Sequence, residues 1–286
     1  ESGSGKSVTS FSILKLVEEP GVVEAEQILF DGRDLSRASE RDMIKIRGKD
    51  ISMVFQDPMT SLNPLYTIQR QMEEVLILHE PQMNAAQRKA RCLELLSAVG
   101  IPNPQERLKE YPNQFSGGMR QRVIIAIALA TNPRLLIADE PTTALDVTIQ
   151  AQIMELILEL KEELGMSVLL ITHDMGLVAQ MADRVLVMYA GQMIEQAPVL
   201  ELFDHPAHPY TRALLRSVPG IRDEEDRRLE SIEGIVPEHY DRIRGCRFAR
   251  RCPFRTAMCM KPQQEMSVGD SHIVRCCRTK EVLADG

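Results

Sequence analysis

The chain has 286 residues, of which 44% are hydrophobic, so it can bury one substantial core and a smaller appended module. Its 41 acidic and 34 basic residues give a formal net charge of -7 and form no long basic stripe, which argues against a nucleic-acid partner. No apolar run approaches the roughly 20 residues of a membrane-spanning helix, and the first residues lack the pattern of a secretion signal. These features exclude a fibrous chain and predict a soluble globular protein.

A glycine-rich segment at the start is typical of a phosphate-binding loop. In the pattern G-x-x-x-x-G-K-[ST], backbone N–H groups converge on phosphates, the lysine reaches the β- and γ-phosphates, and the hydroxyl binds Mg²⁺. Gly5, Lys6 and Ser7 match the second half of this pattern. The first glycine would precede Glu1, so we expect an N-terminally truncated sequence that lacks the strand before the loop. The predicted loop residues are Ser2, Gly3, Ser4, Gly5, Lys6 and Ser7.

The next predicted elements are a helix, a strand and a helical region. Residues 8–17 have the length and composition of a helix that ends before Pro20 and Gly21. The apolar run 51–55 predicts a short buried strand. From about 66 to 130 the periodicity is mostly helical, with breaks at prolines and glycines, which predicts a helical subdomain inserted into the fold.

Strands and helices then alternate, which predicts an α/β domain with a mostly parallel sheet. Continuous apolar runs of this kind form strands that are covered on both faces. The predicted strands are 135–138, 167–171 and 185–188, and the predicted helices are 149–164 and 175–181, with a turn at Ala190 and Gly191.

Two acidic residues, Asp139 and Glu140, end the first strand of this series. In a phosphate-loop ATPase, an acidic residue at this place holds Mg²⁺ through water, and a second one can polarise the attacking water. Their position downstream of Gly5, Lys6 and Ser7 therefore predicts ATP hydrolysis.

The segment 115–122, with the sequence FSGGMRQR, resembles the signature of the ABC ATPases. Phe115 replaces the usual leucine and Met119 the usual glutamine. Ser116, Gly117 and Gly118 supply the hydroxyl, the amides and the close approach that a helix start offers to an anion. We therefore identify the chain as a member of this family, with the ABC-type phosphate-loop ATPase fold.

Further family landmarks follow in the expected order. Gln56, after a predicted strand, resembles the Q-loop glutamine, and the segment 144–146 resembles the D-loop, with Asp146 as its acidic residue. His173, after the next strand, resembles the switch histidine. The resemblance covers about residues 1–191.

The resemblance implies an ATP site that is shared by two nucleotide-binding domains packed head to tail, so that the phosphate loop of one faces the signature of the other. Lys6 and the loop amides would hold the phosphates. Ser7, Gln56 and Asp139 would arrange Mg²⁺, Glu140 would act as general base or position the attacking water, and His173 would contact the γ-phosphate. The remaining nucleotide-binding residues that the resemblance implies are Ser116, Gly117, Gly118 and Asp146.

Two longer segments resemble the dipeptide and oligopeptide importer branch. They are 56–64, with the sequence QDPMTSLNP, and 208–215, with the sequence HPYTRALL. This branch implies a peripheral subunit at the cytoplasmic face of the membrane that powers peptide uptake. Its expected partners are a second ATPase, two transmembrane permeases and an external peptide-binding protein. The resemblance to this branch favours a related but different chain as the second ATPase.

Other transported substrates and other roles stay open at this point. Importers of nickel, glutathione or antimicrobial peptides use similar ATPases. ABC ATPases of DNA repair or of ribosomes use the same motifs without a membrane, but they usually carry two cassettes or a long coiled coil, and the sequence has neither.

The final segment is rich in cysteine. Cys246, Cys252, Cys259 and Cys276 can hold a [4Fe-4S] cluster or a tetrahedral Zn²⁺, and Cys277 could replace Cys276. The resemblance to the peptide importers implies the cluster, and the absence of Cys-x-x-Cys pairs disfavours zinc. Free thiols or a disulfide are the alternatives, and Cys92 is expected in the core. We therefore predict two domains, a nucleotide-binding domain over 1–218 and a small cysteine-rich C-terminal module over 219–286.

Overall fold

A computed structural model describes residues 3–56, 61–143, 145–217 and 232–284. The chain forms two compact units, one of residues Ser7–Ile171 and the other of Glu1–Lys6 together with Thr172–Gly286. None of the helices in the described part of the chain is long and apolar enough to cross a membrane. The predicted boundary between 218 and 219 lies outside the described residues, so the division into two domains stays a prediction.

The first unit begins with most of helix α1, Lys6–Ile13, followed by the hairpin strands β1, Leu29–Phe30, and β2, Arg33–Asp34, and by helix α2, Glu40–Ile46. The predicted helix over 8–17 was therefore wrong at both ends. Lys15 has a positive φ of 51°. Its ammonium donates to the carbonyl oxygens of Ser36 and Ala38 at 3.0 and 2.6 Å, contacts that hold the chain out of the helix.

A parallel three-stranded sheet forms the centre of this unit. Strand β4, Leu135–Asp139, lies between β3, Ile51–Val54, and β5, Ser167–Ile171. In the register, Val54 is paired with Ala138 and Asp139 with Ile171. The carboxyl ends of these strands therefore lie at one edge, where parallel sheets commonly bind their ligands.

The region predicted to be helical contains four described helices. They are α3, Ile68–His79, α4, Ala85–Ala98, α5, Pro104–Arg107, and α6, Gly117–Ala128. Cys92 on α4 is fully buried, as expected. Helix α7, Val147–Leu164, follows β4 and ends at Gly165, whose φ of 61° is the left-handed conformation that favours glycine at a helix end.

The second unit is built on an antiparallel sheet. Its strand order is β6, Arg184–Tyr189, β7, Gln192–Pro198, β9, Ile273–Val274, and β8, Met266–Ser267. The predicted strand 185–188 is confirmed. It does not extend the parallel sheet, because the short turn at Ala190 and Gly191 returns the chain antiparallel to it.

Helices complete this unit. They are α8, Met175–Met181, α9, Val199–Asp204, α10, Pro209–Arg216, and α11, Thr279–Ala284. The core contains Tyr189, Tyr210 and Phe248, whose ring centroids are 4.7 to 5.4 Å apart. Tilted and edge-to-face aromatic contacts of this kind join the sheet, helix α10 and the cysteine-rich segment in one core.

Candidate nucleotide site

The phosphate loop has the backbone that its glycines predict. Gly3 and Gly5 have φ values of 75° and 89°, in the region that glycine adopts without steric cost. The ammonium of Lys6 lies 3.0 Å from the hydroxyl of Ser4, within the loop itself. Ser2, which was also predicted to bind nucleotide, lies outside the described residues.

The predicted magnesium ligands Ser7 and Asp139 meet in the first unit. The hydroxyl of Ser7, in the first turn of α1, donates to Asp139 Oδ1 at 3.0 Å. Asp139 ends the central strand β4 and is only 1% exposed. A buried carboxylate beside a hydroxyl offers the oxygen ligands that Mg²⁺ prefers, so this pair suits the metal.

The predicted catalytic residues Gln56 and Glu140 also meet. The amide of Gln56 donates to Glu140 Oε2 at 2.7 Å, and the hydroxyl of Thr143 lies 3.1 Å from the same oxygen. Glu140 has a φ of 45°, and its backbone N–H donates to the carbonyl of Ile171 at 2.9 Å. The carboxylate is therefore held beyond the strand ends by side-chain and backbone contacts. Sequence reasoning did not select Thr143, although its place three residues after Glu140 was visible.

The signature serine forms the N-cap of helix α6. Ser116 accepts a hydrogen bond from the backbone N–H of Met119 at 3.3 Å, so the amides of Gly117 and Gly118 lie in the first helical turn. An added Cβ at Gly118 would lie 2.7 Å from Ile149 Cγ2. The signature therefore packs so closely on helix α7 that a side chain at this glycine has no room.

The D-loop residue Asp146 caps the same helix α7. Its Oδ1 accepts a hydrogen bond from the backbone N–H of Ile149 at 3.0 Å. The structure thus brings the signature and Asp146 together at the start of α7, while Ala144 lies outside the described residues.

His173 belongs to the second unit and follows strand β5 by two residues. Its side chain is exposed. The next residue, Asp174, caps helix α8 by accepting hydrogen bonds from the amides of Gly176 and Leu177 at 2.8 and 3.2 Å. The cap fixes the backbone beside His173 and leaves the imidazole at the surface.

The C-terminal cysteines line one cavity of the second unit. Its wall contains Cys246, Cys252, Cys259, Cys276 and Cys277, together with His208. The five cysteines are free, and the sulfur atoms of Cys259 and Cys277 are 3.8 Å apart. Burial raises the pKa of Cys252 to about 12 and that of Cys276 to about 11. Among the described residues, no group of three or more His, Cys, Asp or Glu is arranged to hold a metal ion.

The same unit contains a buried ion pair that sequence reasoning missed. Glu195, on β7, is 0% exposed and accepts hydrogen bonds from the backbone amides of Ala207 and His208 at 2.6 and 3.0 Å. The Nε2 of His272 lies 2.8 Å from Glu195 Oε1. The hydrogen bond to Glu195 outweighs burial and raises the pKa of His272. The one signal in the sequence was a glutamate within an otherwise uncharged strand.

Comparison with known proteins supports the same family. Residues 1–143 match the family described as ABC transporter, and residues 194–259 match the family described as oligopeptide/dipeptide transporter, C-terminal region. The dipeptide transport ATP-binding protein DppD of Haemophilus influenzae is 52% identical over 276 residues, which are 96% of this chain and 83% of the relative. The protein of the same name from Escherichia coli is 50% identical and covers 94% of this chain and 81% of its own.

A solved structure shares the fold. The dimeric, post-hydrolysis ATP-binding cassette MJ0796, bound to ADP and Pi, aligns with a TM-score of 0.60 and 32% identity over 70% of this chain and 82% of that chain. The fold, the paired site residues and the relatives agree. The chain belongs to the ATP-binding proteins of the ABC transporters and carries the C-terminal region of their oligopeptide and dipeptide branch.

Proposed function

We propose that the chain is the ATP-hydrolysing subunit of an importer for dipeptides or oligopeptides. The match of residues 194–259 to the oligopeptide/dipeptide transporter region carries this proposal, because the description of that family names the substrate class. Relatives that cover more than 90% of the chain are named as dipeptide transport ATP-binding proteins, which supports the same substrate class.

In the proposed nucleotide site, Lys6 and the amides of Gly3, Ser4 and Gly5 hold the phosphates. Ser7, Gln56 and Asp139 would hold Mg²⁺, and the hydrogen bond between Ser7 and Asp139 supports this assignment. Bound Mg²⁺ would neutralise charge on the phosphates. Glu140 orients and deprotonates the attacking water, and His173 contacts the γ-phosphate.

Gln56 donates a hydrogen bond to one oxygen of Glu140. For Glu140 to accept a proton from water, that oxygen has to exchange its amide partner for the water, or the other oxygen has to be used. The position of Gln56 therefore controls when the carboxylate is available. This gives the glutamine a role in timing hydrolysis as well as in binding Mg²⁺.

The proposed assembly contains two ATPase subunits, two transmembrane permeases and an external peptide-binding protein. Ser116, Gly117, Gly118 and Asp146 of one ATPase would complete the site formed by the phosphate loop of the other. The dimeric relative MJ0796 supports pairing of two cassettes. We propose a related but different chain as the second ATPase. Both ATPases would lie at the cytoplasmic face of the membrane. This chain would consist of a nucleotide-binding domain of residues 1–218 and a module of residues 219–286.

We further propose that the cysteine cavity holds a [4Fe-4S] cluster through Cys246, Cys252, Cys259 and Cys276. The donor set fits, because thiols from separate loops line one cavity. Cysteine thiolates are the ligands that hold iron–sulfur clusters in proteins. When bound, the cluster would join these loops and could exchange single electrons.

His208 adds a second observation in favour of this cluster. Its Nδ1 accepts the backbone N–H of Tyr210 at 3.0 Å, and burial lowers its pKa to about 3, so the neutral ring carries its proton on Nε2. That buried Nε2 has no hydrogen-bond partner in the described part of the protein, and the residue lines the cysteine cavity. A sulfur acceptor in the cavity would satisfy it.

The transport proposal is tested by uptake of a labelled dipeptide in cells that express the complete transporter. Glu140→Gln removes the proposed base and should reduce uptake by at least about 100-fold, the usual size of a general-base contribution. Glu159→Gln, an exposed glutamate on α7, is the matched control. Unlabelled tripeptide, longer peptide, glutathione and Ni²⁺ are the competitors.

Uptake that depends on Glu140 and is competed by peptides would support the proposal, and the order of competition would give the preferred length. Competition by glutathione or Ni²⁺ alone would refute the peptide assignment. A complex that hydrolyses ATP without any uptake of these substrates would favour antimicrobial peptides or a role away from transport.

The cluster is tested separately by anaerobic purification and by measuring iron and acid-labile sulfide. Cys276→Ala should remove the cluster, and Cys277→Ala should leave it if Cys276 is the fourth ligand. The control is Cys92→Ala, in the core of the other unit. Wild-type protein without iron and sulfide would refute the cluster.

A further inference from the structure

Ser4 and Gly5 of the phosphate loop contact the turn between β6 and β7 directly, and these residues all belong to the second unit. The carbonyl oxygen of Ser4, a residue only 4% exposed, accepts a hydrogen bond from the backbone N–H of Gly191 at 3.0 Å. An added Cβ at Gly5 would lie 3.4 Å from Gly191 Cα. The two backbones are therefore in contact, and a shift of the turn would move the loop.

The cysteine-rich segment contacts this same turn. Arg247, next to Cys246, donates a hydrogen bond from Nη1 to the carbonyl oxygen of Ala190. Its guanidinium carbon lies 5.1 Å from the ring centroid of Tyr240. An added Cβ at Gly191 would lie 2.8 Å from Tyr240 Cε2 and 3.2 Å from Arg247 Nη1, so these side chains cover the turn closely.

A single peptide group joins the two contacts. The C=O of Ala190 and the N–H of Gly191 belong to one planar unit, so they cannot be oriented independently. Arg247 binds the oxygen of this unit and Ser4 accepts from its nitrogen. A charged donor on the oxygen also polarises the N–H and strengthens the bond to Ser4.

The turn has a backbone conformation that contacts with other residues have to stabilise. Ala190 and Gly191 both have positive φ, at 47° and 72°. For alanine this conformation is unfavourable, and such residues persist where surrounding contacts hold them. Ala190 is fully buried, and Arg247 supplies its carbonyl with a partner.

We propose that Arg247 is a positioning residue for the phosphate loop, acting through the Ala190–Gly191 peptide group, and that the cysteine-rich segment thereby sets the affinity for ATP. This rests on the proposed role of Lys6 and the loop amides in binding phosphate. It does not depend on the iron–sulfur cluster. The cysteine-rich segment thus has a defined contact through which it acts on nucleotide binding.

The test compares the KM for ATP and the kcat of complete transporters in which this subunit is wild type, Arg247→Gln, Arg247→Lys or Arg250→Gln. Loss of the charged donor should raise KM about threefold to tenfold. This is less than the direct loss of a hydrogen bond to a charged group would cause, because Arg247 acts on the phosphate loop through one peptide group. The kcat should change less than about twofold, because Glu140 and Gln56 are untouched. Lysine should restore part of the affinity, and the exposed Arg250 should behave as wild type.

Hydrogen exchange separates this role from general destabilisation. In Arg247→Gln the amide of Gly191 should exchange faster, while amides of β7 beyond the turn keep the wild-type rate. An unchanged KM, or faster exchange throughout the second unit, would overturn the proposal. If Arg247→Gln does not assemble, Arg247→Lys serves as the test. Its KM for ATP should rise about twofold, and the amide of Gly191 should exchange faster while the amides of β7 keep the wild-type rate.

Lys6→Ala distinguishes this inference from the proposed site. If it still binds ATP as well as wild type, the assignment of the phosphate loop fails, and this inference fails with it. If it loses binding while Arg247→Gln leaves KM unchanged, the site stands and only the role of Arg247 is refuted.

Discussion

Replacing Glu195 by glutamine should destabilise the second unit strongly. The carboxylate accepts three hydrogen bonds, from the backbone amides of Ala207 and His208 and from His272. A glutamine of the same size has one acceptor oxygen and one NH₂ group. The NH₂ would therefore face at least one N–H donor in a site that is 0% exposed.

The magnitude follows from the burial. Removing one partner of a buried ion pair usually costs about 3 to 5 kcal/mol. For a protein of this size we expect Tm to fall by about 6 to 20 °C, at about 2 to 4 °C per kcal/mol. The exposed control Glu238→Gln should stay within about 0.5 kcal/mol of wild type.

The assay is thermal and denaturant unfolding of the purified subunit, followed by circular dichroism. Hydrogen exchange would assign the loss of stability to the second unit. A change of less than about 1 kcal/mol for Glu195→Gln would refute the reasoning, because one unsatisfied buried group alone costs about that much.

His272 has a raised pKa because it donates a hydrogen bond to Glu195. Its contribution to stability should therefore be complete below the unfolded pKa of about 6.5 and should be lost as pH rises through the raised value. Urea titrations across this pH range, compared with those of Glu195→Gln, would check the direction of this change. Gly118→Ala would place a Cβ 2.7 Å from Ile149 and should lower ATPase activity by about tenfold or more, with partial recovery in Gly118→Ala/Ile149→Ala; no loss would show that the signature tolerates the shift. Asn84→Ala removes one half of the capping box with Gln87 and should lower the free energy of unfolding by about 1 kcal/mol. The KM for ATP should stay unchanged in a steady-state assay. An unchanged Tm in thermal unfolding would contradict this prediction.

The sequence could predict that several of the proposed site residues meet, because they lie at strand ends. The apolar runs located β3, β4 and β5, and parallel pairing then required Gln56 and Asp139 to lie at one edge. The pairing of Ser7 with Asp139 could not be read from either segment alone. It depends on how helix α1 packs, and the end of that helix was itself predicted wrongly because Lys15 is held by distant carbonyls.

The second unit was harder to predict, since its organisation depends on contacts between distant residues. The sequence indicated β6 and the turn after it, but not that β9, nearly eighty residues later, would pair with β7. Nothing in the sequence pairs Glu195 with His272, because only the folded chain brings the two side chains together. Arg247 carried no motif at all, and only its contact with Ala190 distinguishes it from other arginines of the segment.

The long interval between β7 and β9 also has a consequence for how the chain is made. Residues 195 and 274 are paired but are 79 positions apart, so a ribosome that adds about 5 to 20 residues per second needs about 4 to 16 s to supply the second after the first. During that time the edge of β7 and the charge of Glu195 have no partners from the final segment. Nascent chains that stop within this interval would expose both, and they should depend on chaperones more than chains that stop just after β9.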